Sequence, residues 1–137
     1  MIVDAGPLIA LFNPLDRYHA RCVDFLRDCE ASLTTTWPVL TEAMHLLRFS
    51  VDAQLRLLSW IDRGGLSVAE LDGTSLGAAM VLIDKYRDRP MDLADASVVL
   101  LAVQSGCREV ASIDSDFDIY RLPDGGWLNN MLRDNSH

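Results

Sequence analysis

The feature that most constrains this chain is an alternation. Short apolar or β-branched stretches, cut off by Asp, Gly or Pro, are separated by segments whose apolar residues recur at a helical period. Met1 to Asp4 reads as a strand stopped by Gly6-Pro7, and Pro7 suits the first turn of a short helix reaching about Asn13. Arg17 to Glu30 is helical, with Ala20, Val23 and Phe25 or Leu26 on one face, and Ala31 to Thr36 is a strand. Trp37-Pro38 opens a helix bearing Val39, Leu40, Ala43, Leu46 and Leu47; a second, from about Asp52 to Asp62, stops at Gly64-Gly65. Leu66 to Leu71 alternates as a strand, and Thr74 to Arg87 is helical until Pro90 breaks it. Asp92 to Gln104 is an apolar helix with Gly106 as its stop signal, and Glu109 to Ile113 is a strand. Asp118 to Leu122 is expected as a short edge strand.

Strands separated by helices imply an α/β fold, a parallel sheet with helices on both faces. At 137 residues the chain is expected to form one domain over 1–137, with a weakly patterned tail from 121 to 137. Half the residues are apolar, which suits a folded core. Apolar runs such as Val98 to Val103 are far short of the roughly 18 residues of a membrane span, so no membrane association is expected. The N-terminus lacks a basic segment followed by a long apolar one, and a cytoplasmic location is the expectation. Cys22, Cys29 and Cys107 are an odd number without a Cys-x-x-Cys pair, which argues against a disulfide framework or a zinc knuckle.

The net charge of −8 is unusual for a protein that handles nucleic acid. Either the chain avoids nucleic acid, or bound cations neutralise some of its acids. Lys85 is the only Lys among the 12 basic residues; the rest are Arg, the better bidentate phosphate ligand, although Arg equally suits surface ion pairs.

In parallel α/β sheets, ligands bind beyond the carboxyl ends of the strands. Asp4 closes the first strand, Glu42 lies one turn into the helix after the second, Asp95 lies in the first turn of a late helix, and Asp114 closes the fourth strand with Asp116 two residues on. Each alone reads equally as a turn or surface residue. Four carboxylates within about 5 Å would repel by roughly 3 kcal/mol per pair at an effective dielectric of 20, so such a pocket takes up protons or a divalent cation. Oxygen donors without His or Cys suit Mg²⁺ or Mn²⁺. Asp92 and Asp95 have the spacing of a capping box, with Asp92 assigned mainly to the cap and Asp95 to the pocket.

The segments IVDAGPLIALFNPLDRYH, TTTWPVLTEAMHLL, RPMDLADASVVLLA and EVASIDSDFDIYR resemble the successive blocks of PIN-domain proteins, closest to the VapC-like toxin branch, from Met1 to about Arg121. The resemblance implies an α/β/α sandwich with strand order 3-2-1-4-5. It implies a metal-dependent endoribonuclease, the toxin of a toxin–antitoxin pair, using one or two Mg²⁺ or Mn²⁺ ions. Asp4, Glu42, Asp95 and Asp114 would be the catalytic and metal-binding quartet, Asp116 an auxiliary ligand, and Ser112 the hydroxyl two residues before the fourth acid. The implied partners are RNA, a second copy of the chain, and a small antitoxin whose cationic tail blocks the acidic pocket. The stretches around Leu46-Leu47 and Leu55 to Trp60 are candidates for the dimer or antitoxin groove, or plain core. His19 matches a recurring His with a packing or capping role, Ala5 replaces a common Thr or Ser, and Trp127 to His137 match nothing in the family.

Two other readings compete. A phosphoacceptor receiver domain also has an acidic Mg²⁺ pocket, but needs a Lys ending a late strand, and Lys85 falls within a helix. A PIN module that binds metal or RNA without cleaving has the same motifs. A P-loop enzyme is excluded, because no Gly-rich Lys-Ser/Thr motif is present.

Overall fold

The computed structural model describes residues 1–132; the last five residues of the weakly patterned tail, 133–137, lie outside the described residues. The elements are β1 (Ile2–Val3), α1 (Ala5–Phe12), α2 (His19–Arg27), β2 (Thr34–Thr36), α3 (Trp37–Leu46), α4 (Val51–Asp62), β3 (Ser67–Ala69), α5 (Ser75–Lys85), α6 (Leu93–Ser105), β4 (Glu109–Ala111), a 3₁₀ turn (Ser115–Asp118) and β5 (Asn129–Asn130). The five strands pair in parallel in the order β3-β2-β1-β4-β5, the order the resemblance implies. From β1 the chain builds outward to β2 and β3 on one side, then crosses back to lay β4 and β5 on the other. The switch point between β1 and β4 opens a crevice at their carboxyl ends.

The local signals act where they stand. Asp4 is the N-cap of α1, and Pro7 lies in that helix's first turn. Thr36 caps α3 by accepting the Val39 N–H at 3.2 Å, and Pro38 follows in the first turn. Gly106 ends α6 in the left-handed region, φ 74°, where a side chain would be strained. Helix α6 buries Ala94, Ala96, Ser97, Val98, Val99, Leu101 and Ala102 and has no solvated stripe along most of its length. Its packing with β1 and β2 makes the core around Ile2, Val3, Leu8, Val39 and Leu57. A smaller cluster joins Ala10, Cys22, Ala111 and Leu132. Burial pushes the Cys22 thiol up to about 11, and all three cysteines are free. His19 Nδ1 lies 2.7 Å from the Ala10 carbonyl, which can only accept, so the ring nitrogen donates and ties α2 to α1.

One element departs from expectation. Asp118 to Leu122 does not form the edge strand; the chain makes the 3₁₀ turn Ser115–Asp118, and the fifth strand falls at Asn129–Asn130. Phe117 and Tyr120 explain this. Both are fully buried, three residues apart, with rings edge to face at 5.3 Å. Three-residue spacing puts two side chains on one side of a turn but on opposite faces of a strand. Strand β4 also stops at Ala111, before Ile113. There the Asn130 side chain takes over the ladder: its Nδ2 donates to the Ser112 carbonyl at 3.0 Å, and its Oδ1 accepts the Ser112 N–H at 3.2 Å.

Candidate active site

Asp4, Glu42, Asp92, Asp95 and Asp114 line one cleft of about 290 Å³ at the switch point, together with Ala5, Gly6, Ile9, Leu46 and Ile113. A larger cleft of about 830 Å³ lies elsewhere, beside Ala31 to Leu33 and Gly64 to Ser67, before β2 and β3. The carboxylates therefore gather at the carboxyl ends of the strands, where the topology predicts a ligand.

Asp4 is the most buried of the five, at 5 % exposure. It occupies the N-cap position of α1 without using its side chain as a cap, so the carboxylate is left for the cleft. Ser112 Oγ donates to Asp4 Oδ2 at 2.8 Å and accepts the Asp114 N–H at 3.0 Å. One hydroxyl thus fixes the exits of β1 and β4 relative to each other. Gly6 allows the close approach: a Cβ there would sit 3.3 Å from the Ile113 side chain. Ala5 lines the cleft with a methyl group where a hydroxyl is common in the resembled family.

Glu42 is carried by α3, whose start is tied to α6. Ser97 Oγ donates to the Ala94 carbonyl at 2.6 Å, so Thr36 donates to Ser97 in the 2.6 Å contact between their hydroxyls. Asp92 and Asp95 form the expected capping box: Asp92 Oδ1 accepts the Asp95 N–H at 2.7 Å, and Asp95 Oδ2 accepts the Asp92 N–H at 3.3 Å. Both carboxylates also face the cleft, so Asp92 combines the cap with a place in the acidic cluster. Tyr120 Oη donates to Asp95 Oδ2 at 3.4 Å. Asp116 does not line the cleft; it pairs with Arg89 Nη1 at 3.4 Å while its N–H donates to Asp114 Oδ1 at 2.9 Å.

The acids act on one another. Burial is the main cause that pushes Asp4 up to about 6, with Asp114 and Asp92 adding to it and the bonds from Ser112 and the Ala5 N–H opposing it. Burial and then Asp92 push Asp95 up to about 7. Glu42 is raised by burial, then by Asp92, Asp4 and Asp114. Burial, then Asp95, raises the Tyr120 phenol and keeps it a donor. Without a cation the cluster stores protons near neutral pH.

Among the described residues, no three His, Cys, Asp or Glu side chains are drawn together into a ready metal cage. The donors fit a hard divalent cation in chemistry: all are carboxylate oxygens, several in excess of what can stay ionised together. Thr36, Ser97, Tyr120 and Asn130 are supporting residues that sequence reading did not single out. Thr36 carried a signal, a Thr just before a Pro-started helix. Nothing in sequence marks Asn130, whose role depends on a strand composed of two Asn residues.

No protein-family profile matches the chain. Ribonuclease VapC26 of Mycobacterium tuberculosis (strain ATCC 25618 / H37Rv) is 27% identical over 128 residues, spanning 92% of this chain and 95% of the relative. Over nearly its whole length the chain is similar to this VapC ribonuclease. The crystal structure of Mycobacterium tuberculosis VapC20, described as a Sarcin-Ricin loop cleaving toxin, superposes with a TM-score of 0.79 at 20% identity, covering 86% of this chain and 92% of that one. The VapC-like fold overturns the receiver reading. A receiver sheet runs 2-1-3-4-5, whereas this one runs 3-2-1-4-5, and Lys85 is an exposed residue ending α5, with Nζ 5.3 Å over the Tyr86 ring.

Ser112→Ala provides a direct check on the geometry. It removes the donor that favours ionised Asp4, so the Asp4 pKa rises further. The acidic limb of any cleavage profile should move to higher pH, with activity at neutral pH down roughly tenfold. An unshifted limb shows that the Ser112 bond does not set the state of Asp4.

Proposed function

We propose that this chain is a metal-dependent endoribonuclease that hydrolyses RNA phosphodiester bonds as the toxin of a toxin–antitoxin pair. The observation that carries the reading is the gathering of five carboxylates around one cleft at the switch point of a VapC-like fold. The printed identities of the relative, a ribonuclease, and of the structural neighbour, an RNA-loop-cleaving toxin, support it.

Asp4, Glu42, Asp95 and Asp114 would hold one or two Mg²⁺ or Mn²⁺ ions, which when bound polarise a phosphate and lower the pKa of water. The protein's own part is placement. Ser112 orients Asp4, the α6 capping box orients Asp95, and the α3–α6 hydroxyl pair sets the helix that bears Glu42. Among the described residues no hydroxyl, thiol or imidazole side chain lines the cleft, which suits water as the attacking group. Ile9, Leu46 and Ile113 wall the acids on their apolar side and strengthen their electrostatics.

The test is incubation of the purified protein with ribosomal, transfer and synthetic RNAs in Mg²⁺, Mn²⁺ or EDTA. Cleavage at discrete sites that EDTA abolishes is expected; cleavage that persists in EDTA, or none in either metal, overturns the reading.

The same reading includes a small antitoxin and a second copy of the chain. The acidic cleft suits a cationic segment of the antitoxin. The candidate groove helices are mixed: Leu47 and Leu57 are core, while Leu46, Leu55 and Leu58 are exposed. A further apolar face, with Leu76 and Leu93 exposed beside Trp37, suits the second copy. Among the described residues no helix is long and apolar enough to cross a membrane. Co-expression with the short upstream reading frame should yield a stable complex of reduced activity. A monomeric protein, harmless when overproduced and without such a partner, overturns the toxin assignment while leaving the nuclease assignment standing.

A further inference from the structure

The cleft presents a difficulty for an RNA substrate: among the described residues, none that line it is basic. A polyanion approaching five carboxylates needs a cation close by, and binding affinity for nucleic acid comes mainly from Lys and Arg on phosphates. The basic stretch Lys85-Tyr86-Arg87-Asp88-Arg89 runs from the end of α5 towards Asp92 at the cleft. Arg87, just past the end of α5, is paired with Asp84 of that helix. Arg89 instead reaches across to Asp116, two residues after the cleft residue Asp114.

Three observations set Arg89 apart. Its side chain is 55% exposed and the contact with Asp116 is 3.4 Å, a pair too long and too wet to serve stability. The contact uses one nitrogen, leaving the rest of the guanidinium fork open for a bidentate acceptor. The segment is also anchored: Tyr86 Oη accepts the Arg121 N–H at 2.8 Å, and its ring meets edge to face at 5.0 Å that of Tyr120, the tyrosine bonded to Asp95.

Resting on the nuclease reading above, we infer that Arg89 receives an RNA phosphate at the mouth of the cleft, and that Asp116 serves to hold Arg89 there instead of acting as an auxiliary metal ligand. The weak ion pair keeps the guanidinium poised, and a phosphate, offering two oxygens, replaces or shares the carboxylate. Arg89 is then a substrate-binding residue and Asp116 its positioning residue.

The experiment uses the full chain and a fluorescein-labelled single-stranded RNA of mixed sequence. Binding is measured by anisotropy in Mg²⁺ over a salt series, in an Asp95→Asn background with RNA integrity checked; steady-state cleavage is measured in the otherwise native chain. Arg89→Gln should weaken binding at least about tenfold. It should also lower the slope of log affinity against log salt by about 0.7, one phosphate contact on a single strand. KM should rise with kcat little changed, and Arg89→Lys should restore the salt slope. Arg56→Gln, in the distant cleft, should change neither. Asp116→Asn should raise KM while leaving the Mn²⁺-induced shift in melting temperature intact. An unchanged slope and KM in Arg89→Gln, or equal losses in Arg56→Gln, overturns the Arg89 contact while the nuclease reading stands. Loss of the Mn²⁺ shift in Asp116→Asn returns Asp116 to the metal site and overturns its positioning role. A native chain that neither binds nor cleaves RNA removes both readings.

Discussion

Asp95→Asn is expected to reduce RNA cleavage at least about a hundredfold, a loss of roughly 2.7 kcal/mol of transition-state stabilisation. The substitution keeps the shape of the residue, and its side-chain oxygen can still accept the Asp92 N–H, so the capping box at the start of α6 survives. What it removes is an ionisable oxygen donor that burial and Asp92 hold up at about 7. Because that charge is disfavoured in the cation-free fold, the melting temperature of the metal-free protein should not fall. Asp92→Asn is the matched control. Asn caps helices about as well as Asp, and the Asp95 N–H keeps its acceptor, so most activity and stability should remain. Cleavage rates and melting curves of the two variants decide the matter: an exchange of phenotypes assigns the ligand role to Asp92, which also lines the cleft.

The second large effect is on stability as a function of pH and metal. Asp4 and Asp95 bind protons more tightly in the folded chain, at about 6 and about 7, than at their ordinary value of 3.8. Between about pH 4 and 7 the folded state therefore holds more protons than the unfolded state, and metal-free stability must fall as pH rises through this window. Glu42, raised for the same reason, adds to the slope. A divalent cation replaces those protons. At pH 7 and a free concentration 100 times its dissociation constant, Mn²⁺ should stabilise the fold by about 2.7 kcal/mol and flatten the pH dependence. Thermal melts from pH 5 to 8 with EDTA or Mn²⁺ measure both. A midpoint unmoved by millimolar Mn²⁺ would count against a cation in this cleft, and metal-free stability that rises with pH would show that the acids are not crowded.

The legibility of this chain follows from how its elements are stabilised. The segments holding β1 to β4 and the six helices carry their own periodicity and stop signals, and the elements fall inside or within two residues of the expected stretches. Strands β1 and β2 are shorter than expected: β1 spans only Ile2–Val3, although the Asp4 N–H still bonds to the Ala111 carbonyl, and β2 begins at Thr34 instead of Ala31. Glu42 is legible as a polar residue among buried neighbours, and Asp4 and Asp114 as strand-ending acids. Asp116 looks the same in sequence as Asp114; what separates them is Arg89, 27 residues away in the chain. Strand β5 is hidden because Asn has little preference for strands and its pairing was fixed by tertiary contact. Asn130 was invisible as a support because its bonds run to the backbone of Ser112, and a backbone partner leaves no mark on residue type.

The linkage from Asn130 through Ser112 to Asp4 has a consequence during synthesis. Asp4 precedes its partners by more than a hundred residues: β1 cannot gain its β4 neighbour until Glu109–Ala111 exist, and Ser112 is not clamped until residue 130 follows. A ribosome-bound chain that has reached α6 owns Asp4, Glu42, Asp92 and Asp95 but still lacks Ser112, whose hydroxyl orients Asp4, and the fifth acid, Asp114. Assembly of the cleft is therefore completed only once residue 130 has joined the sheet, and a fragment ending before it should lack the clamp that holds Ser112 against Asp4.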